Sequence, residues 1–130
     1  QPGSRVVFVT SHQAHFIRSV ETMPEYVAVA LSKRAGEDAL RGMIDQMSTV
    51  GVEFVVVSGD MIEGTVTATL LNRANPGVIE ARKEQVGKLY NVEEFAAEVA
   101  LAAVEEVPEG NTRLVGDVSS FVGNPDIAAI

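Results

Sequence analysis

The chain has 130 residues, of which 46% are hydrophobic, enough for one domain with a real core and too apolar for disorder. Eighteen acidic against ten basic residues give a formal net charge of −8 and no Lys/Arg cluster, which argues against nucleic acid as a partner. Cysteine is absent, which excludes disulfides and thiolate chemistry, and no apolar run nears the ~20 residues of a membrane span.

The predicted elements follow in chain order. Residues 1–4 are a loop. Arg5–Ser11, RVVFVTS, is a continuous apolar run rich in β-branched residues, as in a parallel strand buried on both faces. The run is too short for a signal peptide, and the expected location is cytoplasmic. Residues 12–22 read as an irregular connection holding His12, His15 and Phe16. Residues 23–49 read as the longest helix, with Pro24 in its first turn. Val27, Leu31, Ala35, Ala39 (or Leu40), Met43 and Met47 recur there at three- and four-residue steps, a helical apolar stripe. Ala28, Ala35, Gly36 and Gly42 allow close packing, against the chain's own sheet or against a second copy. Gly51 marks the helix end.

Val52–Ser58, VEFVVVS, is a second buried strand, broken by Gly59 and Asp60. Short helices are expected over Thr65–Arg73 and Val78–Val86, with a turn at Asn75–Gly77 between them. Asn91 caps a helix over Val92–Glu105 that buries Phe95, Val99, Ala102 and Ala103. Thr112–Val115 is a third short strand, and residues 118–130 form a weakly patterned tail. Alternating strands and helices predict an α/β fold with right-handed crossovers, part of a doubly wound, Rossmann-like parallel sheet. Its strands lie near 5–11, 52–58 and 112–116, in one domain over 5–117. Three parallel strands are few for such a sheet, so completion by another segment, or a homo-oligomer, is expected.

Five pieces in order carry a resemblance: RVVFVTS ending at Ser11, ALSKRAGEDALR from Ala30, VVVSGDMIEGT over Val55–Thr65, NVEEFAAEVALAAV from Asn91, and TRLVGD from Thr112. Together they resemble the C-terminal half of a short-chain dehydrogenase/reductase, a doubly wound, nicotinamide-dependent oxidoreductase. The resemblance covers about residues 5–117. It implies hydride transfer between NAD or NADP and a small-molecule carbonyl or alcohol. Ser11 would steady the substrate oxygen, and Lys33 would stabilise a phenolate and bind the nicotinamide ribose. Gly59 and Thr65 would belong to the cofactor turn. Four residues before Lys33 the family has its tyrosine, and here that position is Val29; Tyr26 lies one turn earlier on the face of Lys33. The implied catalytic set is therefore Ser11, Tyr26 and Lys33. The glycine-rich fingerprint that holds a dinucleotide pyrophosphate does not occur in these residues.

Plainer readings stand beside these. Ser11 could cap a backbone group, Thr65 could be a helix N-cap, Lys33 a snorkelling surface lysine and Tyr26 part of a helix face. His12 and His15 lack a metal-ligand pattern, and no metal is expected. A Ser11–His15–Asp60 hydrolase would lack the nucleophile elbow. The alternative to an oxidoreductase is a non-catalytic, structural or oligomerisation module of the same fold.

Overall fold

The computed structural model describes residues 2–122. The fold is mixed α/β around a three-stranded, wholly parallel sheet in the order β1-β2-β3: Arg5–Ser11, Glu53–Gly59 and Thr112–Val115. The strands fall within about a residue of the expected spans. β1 pairs with β2 from Arg5↔Glu53 to Ser11↔Gly59, and β2 with β3 from Val56↔Thr112 to Gly59↔Val115. β2 is central, and Phe54–Ser58 are buried along it. That is why VEFVVVS reads apolar without alternation: neither face meets water.

The predicted long helix is three pieces. A 3-10 turn over Pro24–Tyr26, with Pro24 in its first positions, leads into α2, Val27–Arg41. α3, Ile44–Thr49, follows after a break at Gly42 and Met43. Before them, His12–His15 form one helical turn, α1, in the stretch expected to be irregular. Gly51 takes the left-handed backbone (φ 76°) that closes the connection to β2. α4 (Val66–Ala74), α5 (Val78–Val86) and α6 (Val92–Val104) match expectation closely. Asn91 and Glu94 form a reciprocal capping box at α6. A turn of helix, α7 (Ser119–Val122), follows β3; the rest of the predicted tail, 123–130, lies outside the described residues.

The apolar stripe of the long helix does not face the core. Val27, Leu31, Ala35 and Met43 are exposed, Leu31 at 55%. Tyr26, Ala30 and Glu37 are the buried positions instead. The reason is an ionic cluster: Glu37 accepts from His15 Nδ1 (2.8 Å), from Arg41 Nε (2.8 Å) and from Arg34 Nη1 (3.3 Å). Arg34 also donates to the His15 carbonyl, and Arg41 to the Gly110 carbonyl. A buried carboxylate is tolerated because its charge and lone pairs are met. Burial alone would raise the Glu37 carboxyl, but the His15 and Arg41 hydrogen bonds with the His15 and Arg34 charges outweigh it and hold it below the usual range.

The two helix layers lie on opposite faces. Val7, Val55, Val57 and Val115 pack with Phe95 and Ala102 of α6. Phe8, on the other face of β1, lies under Gly36 of α2, and Thr112, opposite Val56, binds Arg41 of α2. Strand order runs in one direction while the return helices change face. The two crossovers therefore have opposite hands, and only one follows the expected right-handed rule. Arg5 anchors the far end of α6 by donating to the Ala102 and Glu105 carbonyls. Val99 is half-buried in the α6 contact, while Ala103, expected inside, is exposed.

Candidate functional site

Parallel strands end on one edge, and the loops that follow them form a cavity there. Its volume is about 160 Å³, and its wall includes Thr10 and Ser11 from the end of β1, Tyr26 from the 3-10 turn, Lys33 from α2, and Thr65 ahead of α4. Val9, Met23, Met61, Ile62, Ala68, Leu71 and Phe95 make most of the rest apolar.

Ser11 is the last residue of β1 and the N-cap of α1. Its Oγ accepts from the Ala14 N–H at 3.2 Å and lies 3.1 Å from the Tyr26 hydroxyl. Tyr26 closes the 3-10 turn ahead of α2 and packs with Ala14 and Ala30. The two hydroxyls own two protons and use one between them, so one O–H remains to be donated into the cavity. Lys33 Nζ lies 5.9 Å from the centroid of the Tyr26 ring and has no carboxylate partner among the described residues. Ser11, Tyr26 and Lys33, named from sequence, are thus brought together, and Ser11 also caps a helix as its plainer reading required. Val29, at the resembled family's tyrosine position, is 43% exposed and is not part of the cavity wall.

Thr65 joins the same wall. Its hydroxyl donates to the Ile62 carbonyl (2.9 Å) and accepts from the Ala68 N–H (3.1 Å), so it caps α4 and keeps one lone pair free. Gly59 is not in the wall. It lies under Phe95, where an added Cβ would come within 2.3 Å of the ring. The close approach of α6 is reason enough for glycine at that position.

Asp60 and the histidines have structural partners. Asp60 accepts from Arg82 Nε (2.7 Å), Gln13 Nε2 (3.0 Å) and the Met61 N–H (2.7 Å). His15 turns to Glu37, so Ser11, His15 and Asp60 do not form a relay. His12 is fully buried, with Nδ1 2.7 Å from Ser58 Oγ and Nε2 3.0 Å from the Val115 carbonyl. The carbonyl can only accept, so Nε2 carries the proton and Ser58 donates to Nδ1. Burial pushes His12 down to about 4, against the opposing pull of Asp60 and Val115. Sequence reasoning missed Thr10, whose buried hydroxyl finds no partner among the described residues although it belongs to the cavity wall. Alternation along β1 places it one residue from Ser11, but its orphan state is a property of packing alone.

Comparison with family models, with curated proteins and with solved structures returns no match. What the site does rests on its own geometry.

The Lys33 ammonium, without a carboxylate partner among the described residues, and the Thr65 hydroxyl are polar groups of the wall, whereas the Thr10 hydroxyl is shut off from the cavity. No glycine-rich turn for a pyrophosphate occurs among the described residues.

Proposed function

We propose that this chain carries the proton-transfer centre of a nicotinamide-dependent oxidoreductase of the short-chain dehydrogenase/reductase type, acting on a small carbonyl or alcohol. The observation that supports the reading is the Ser11–Tyr26 hydroxyl pair, 3.1 Å apart, in the cavity that Lys33 also lines. NAD or NADP, when bound, would supply or take up the hydride at the substrate carbon. In the reducing direction Tyr26 Oη gives its proton to the carbonyl oxygen as the C–H bond forms. Ser11 Oγ–H then donates to the resulting phenolate, and the Lys33 ammonium stabilises it through space. The apolar wall keeps water from that oxygen and strengthens both effects. Lys33 and Thr65 would hold the nicotinamide–ribose end.

A second reading, a non-catalytic module of the same fold, is favoured by Val29 at the resembled tyrosine position and by the missing phosphate cradle. The discriminating experiment is cofactor fluorescence together with turnover of a panel of ketones. Enhanced NADH or NADPH fluorescence, with turnover lost at least a hundredfold in Tyr26→Phe while fluorescence persists, is the expected result. A silent wild-type chain that gains turnover only as Val29→Tyr would favour the module with a lapsed site.

A further inference from the structure

The cavity at Tyr26 has a neighbour. A second cavity, of about 250 Å³, lies between α1, the turn before α2, α5 and α7. Gln13, Met23 and Met61 line both, so these three side chains stand between them. The partition adjoins both hydroxyls of the site. The Tyr26 N–H donates to the Met23 carbonyl at 2.8 Å, and Gln13 follows Ser11 by two residues, in α1. The groove along Val92 and Val99 instead meets the first cavity at Thr65 and Phe95, on the side assigned to the cofactor.

The partition is soft where it is apolar. Met61 is buried, and Met23 packs against its cluster with Ala68 and Leu89. Unbranched thioether chains change rotamer at little cost and adapt to an apolar guest. Gln13 is held aside, its Nε2 donating to Asp60 at 3.0 Å. Beyond the partition the wall is apolar at Val20, Val78 and Phe121. Arg82 is the cation there, and its charge is already met: Nε donates to Asp60 at 2.7 Å, and Nη1 donates to Gln85 and Ser120. Glu21, the other charged residue of that wall, is an exposed anion. The second cavity therefore suits an uncharged apolar chain and offers nothing to an anionic end group. Size points the same way. The first cavity, at about 160 Å³, falls short of the roughly 300 Å³ at which ordinary ligand sites begin, and the two together pass it.

We infer that the ligand of this site is elongated, with a carbonyl or hydroxyl at Ser11 and Tyr26 and an uncharged aliphatic chain that passes between Met23 and Met61 into the second cavity. Under the proposed reaction, on which this step rests, the substrate is a long-chain aliphatic ketone or secondary alcohol. The place of the chain itself follows from the two cavities.

The test uses the purified chain and two probe series. Methyl ketones from butanone to nonanone report turnover with NADH or NADPH. The matching secondary alcohols report affinity by calorimetry without cofactor. Each methylene that enters the second cavity should tighten alcohol binding about fourfold, and kcat/KM for the ketones should rise with length in the same way. Tyr26→Phe should weaken the longest alcohol as well, because its hydroxyl end stays in the first cavity. Val78→Trp fills the second cavity and should bring the nonanone-to-butanone ratio of kcat/KM, and the matching ratio of alcohol affinities, toward one. Val78→Ala enlarges that cavity and should move the preference to longer members. Circular dichroism checks that both variants fold. The inference is overturned if alcohol affinity does not rise with length, if Tyr26→Phe binds the longest alcohol as tightly as the parent, or if both Val78 variants leave the ratios unchanged. Ketone turnover that ignores length overturns it while the oxidoreductase reading stands. Alcohol affinity that depends on length and on Val78, with no turnover of any ketone, overturns the oxidoreductase reading and upholds the place of the chain.

Discussion

His12 stands where the three strands end, and its two ring nitrogens tie the end of β1 to Ser58 of β2 and to the Val115 carbonyl of β3. Burial favours the neutral ring, in which Nδ1 accepts from Ser58 and Nε2 donates to Val115. Its folded pKa is about 4 against the ordinary 6.5. The folded state therefore binds fewer protons than the unfolded chain between those values. The contribution is fully present above pH 6.5 and is lost as pH falls toward 4. Over that interval it amounts to about 3 kcal/mol. Urea melts from neutral pH downward should show this loss, and His12→Gln, less stable at neutral pH, should lack that part of the slope. An unchanged slope in the variant would place the acid sensitivity elsewhere. In the reaction we propose, Tyr26 is the proton donor: Tyr26→Phe removes that proton, while Ser11→Ala also removes the α1 cap and so mixes a stability loss of about 1 kcal/mol with any effect on rate.

Among the elements, the contact of α6 with β2 separates two meanings of one residue. Gly59 was implied as a cofactor contact, yet the ring of Phe95 fills the space where its side chain would be. Gly59→Ala should overpack that contact and cost about 1–3 kcal/mol. A smaller neighbour, Phe95→Leu, should recover part of the loss in the double variant, read as a coupling energy in thermal or urea melts. No coupling would mean that glycine is needed there for something other than Phe95. The break after α2 falls at Gly42 and Met43, the caps of α2 and α3.

At the scale of the molecule, Glu37 holds three regions together. Through His15 it fixes α1, through Arg34 and Arg41 it fixes α2, and through Arg41 it reaches the Gly110 carbonyl ahead of β3 and Thr112 at its start. Glu37→Gln leaves three cationic or polar donors facing a neutral amide and should cost about 3–5 kcal/mol in urea melts. Its carboxyl is held below the ordinary 4.5, so its contribution is present above that value and is lost as pH falls through the lowered one. This window lies below that of His12, and the two losses should be separable in Glu37→Gln and His12→Gln. A Glu37→Gln variant as stable as the parent would mean that the cluster only breaks even against its desolvation cost. The opposite hands of the two crossovers belong to this scale too, since they follow from which face each helix covers.

By itself the sequence determined the strands, the parallel α/β class and the caps at Thr65 and Asn91, and it singled out Ser11, Tyr26, Lys33 and Thr65 as candidates. Those are local properties: β-branched runs mark buried strands, side-chain oxygens cap helices, and a residue's rank along a helix sets its face. Tertiary structure alone decided which face of α2 turns inward, because a buried carboxylate with three donors outcompetes an apolar stripe only when partners from α1 are present. It also decided the hand of the second crossover, the reason for Gly59 and the orphan state of Thr10. Most of all it set the 3.1 Å between Ser11 and Tyr26. In sequence Tyr26 stands one turn too early. The 3-10 turn at Pro24 and the packing of Tyr26 with Ala14 and Ala30 bring its hydroxyl to the strand end.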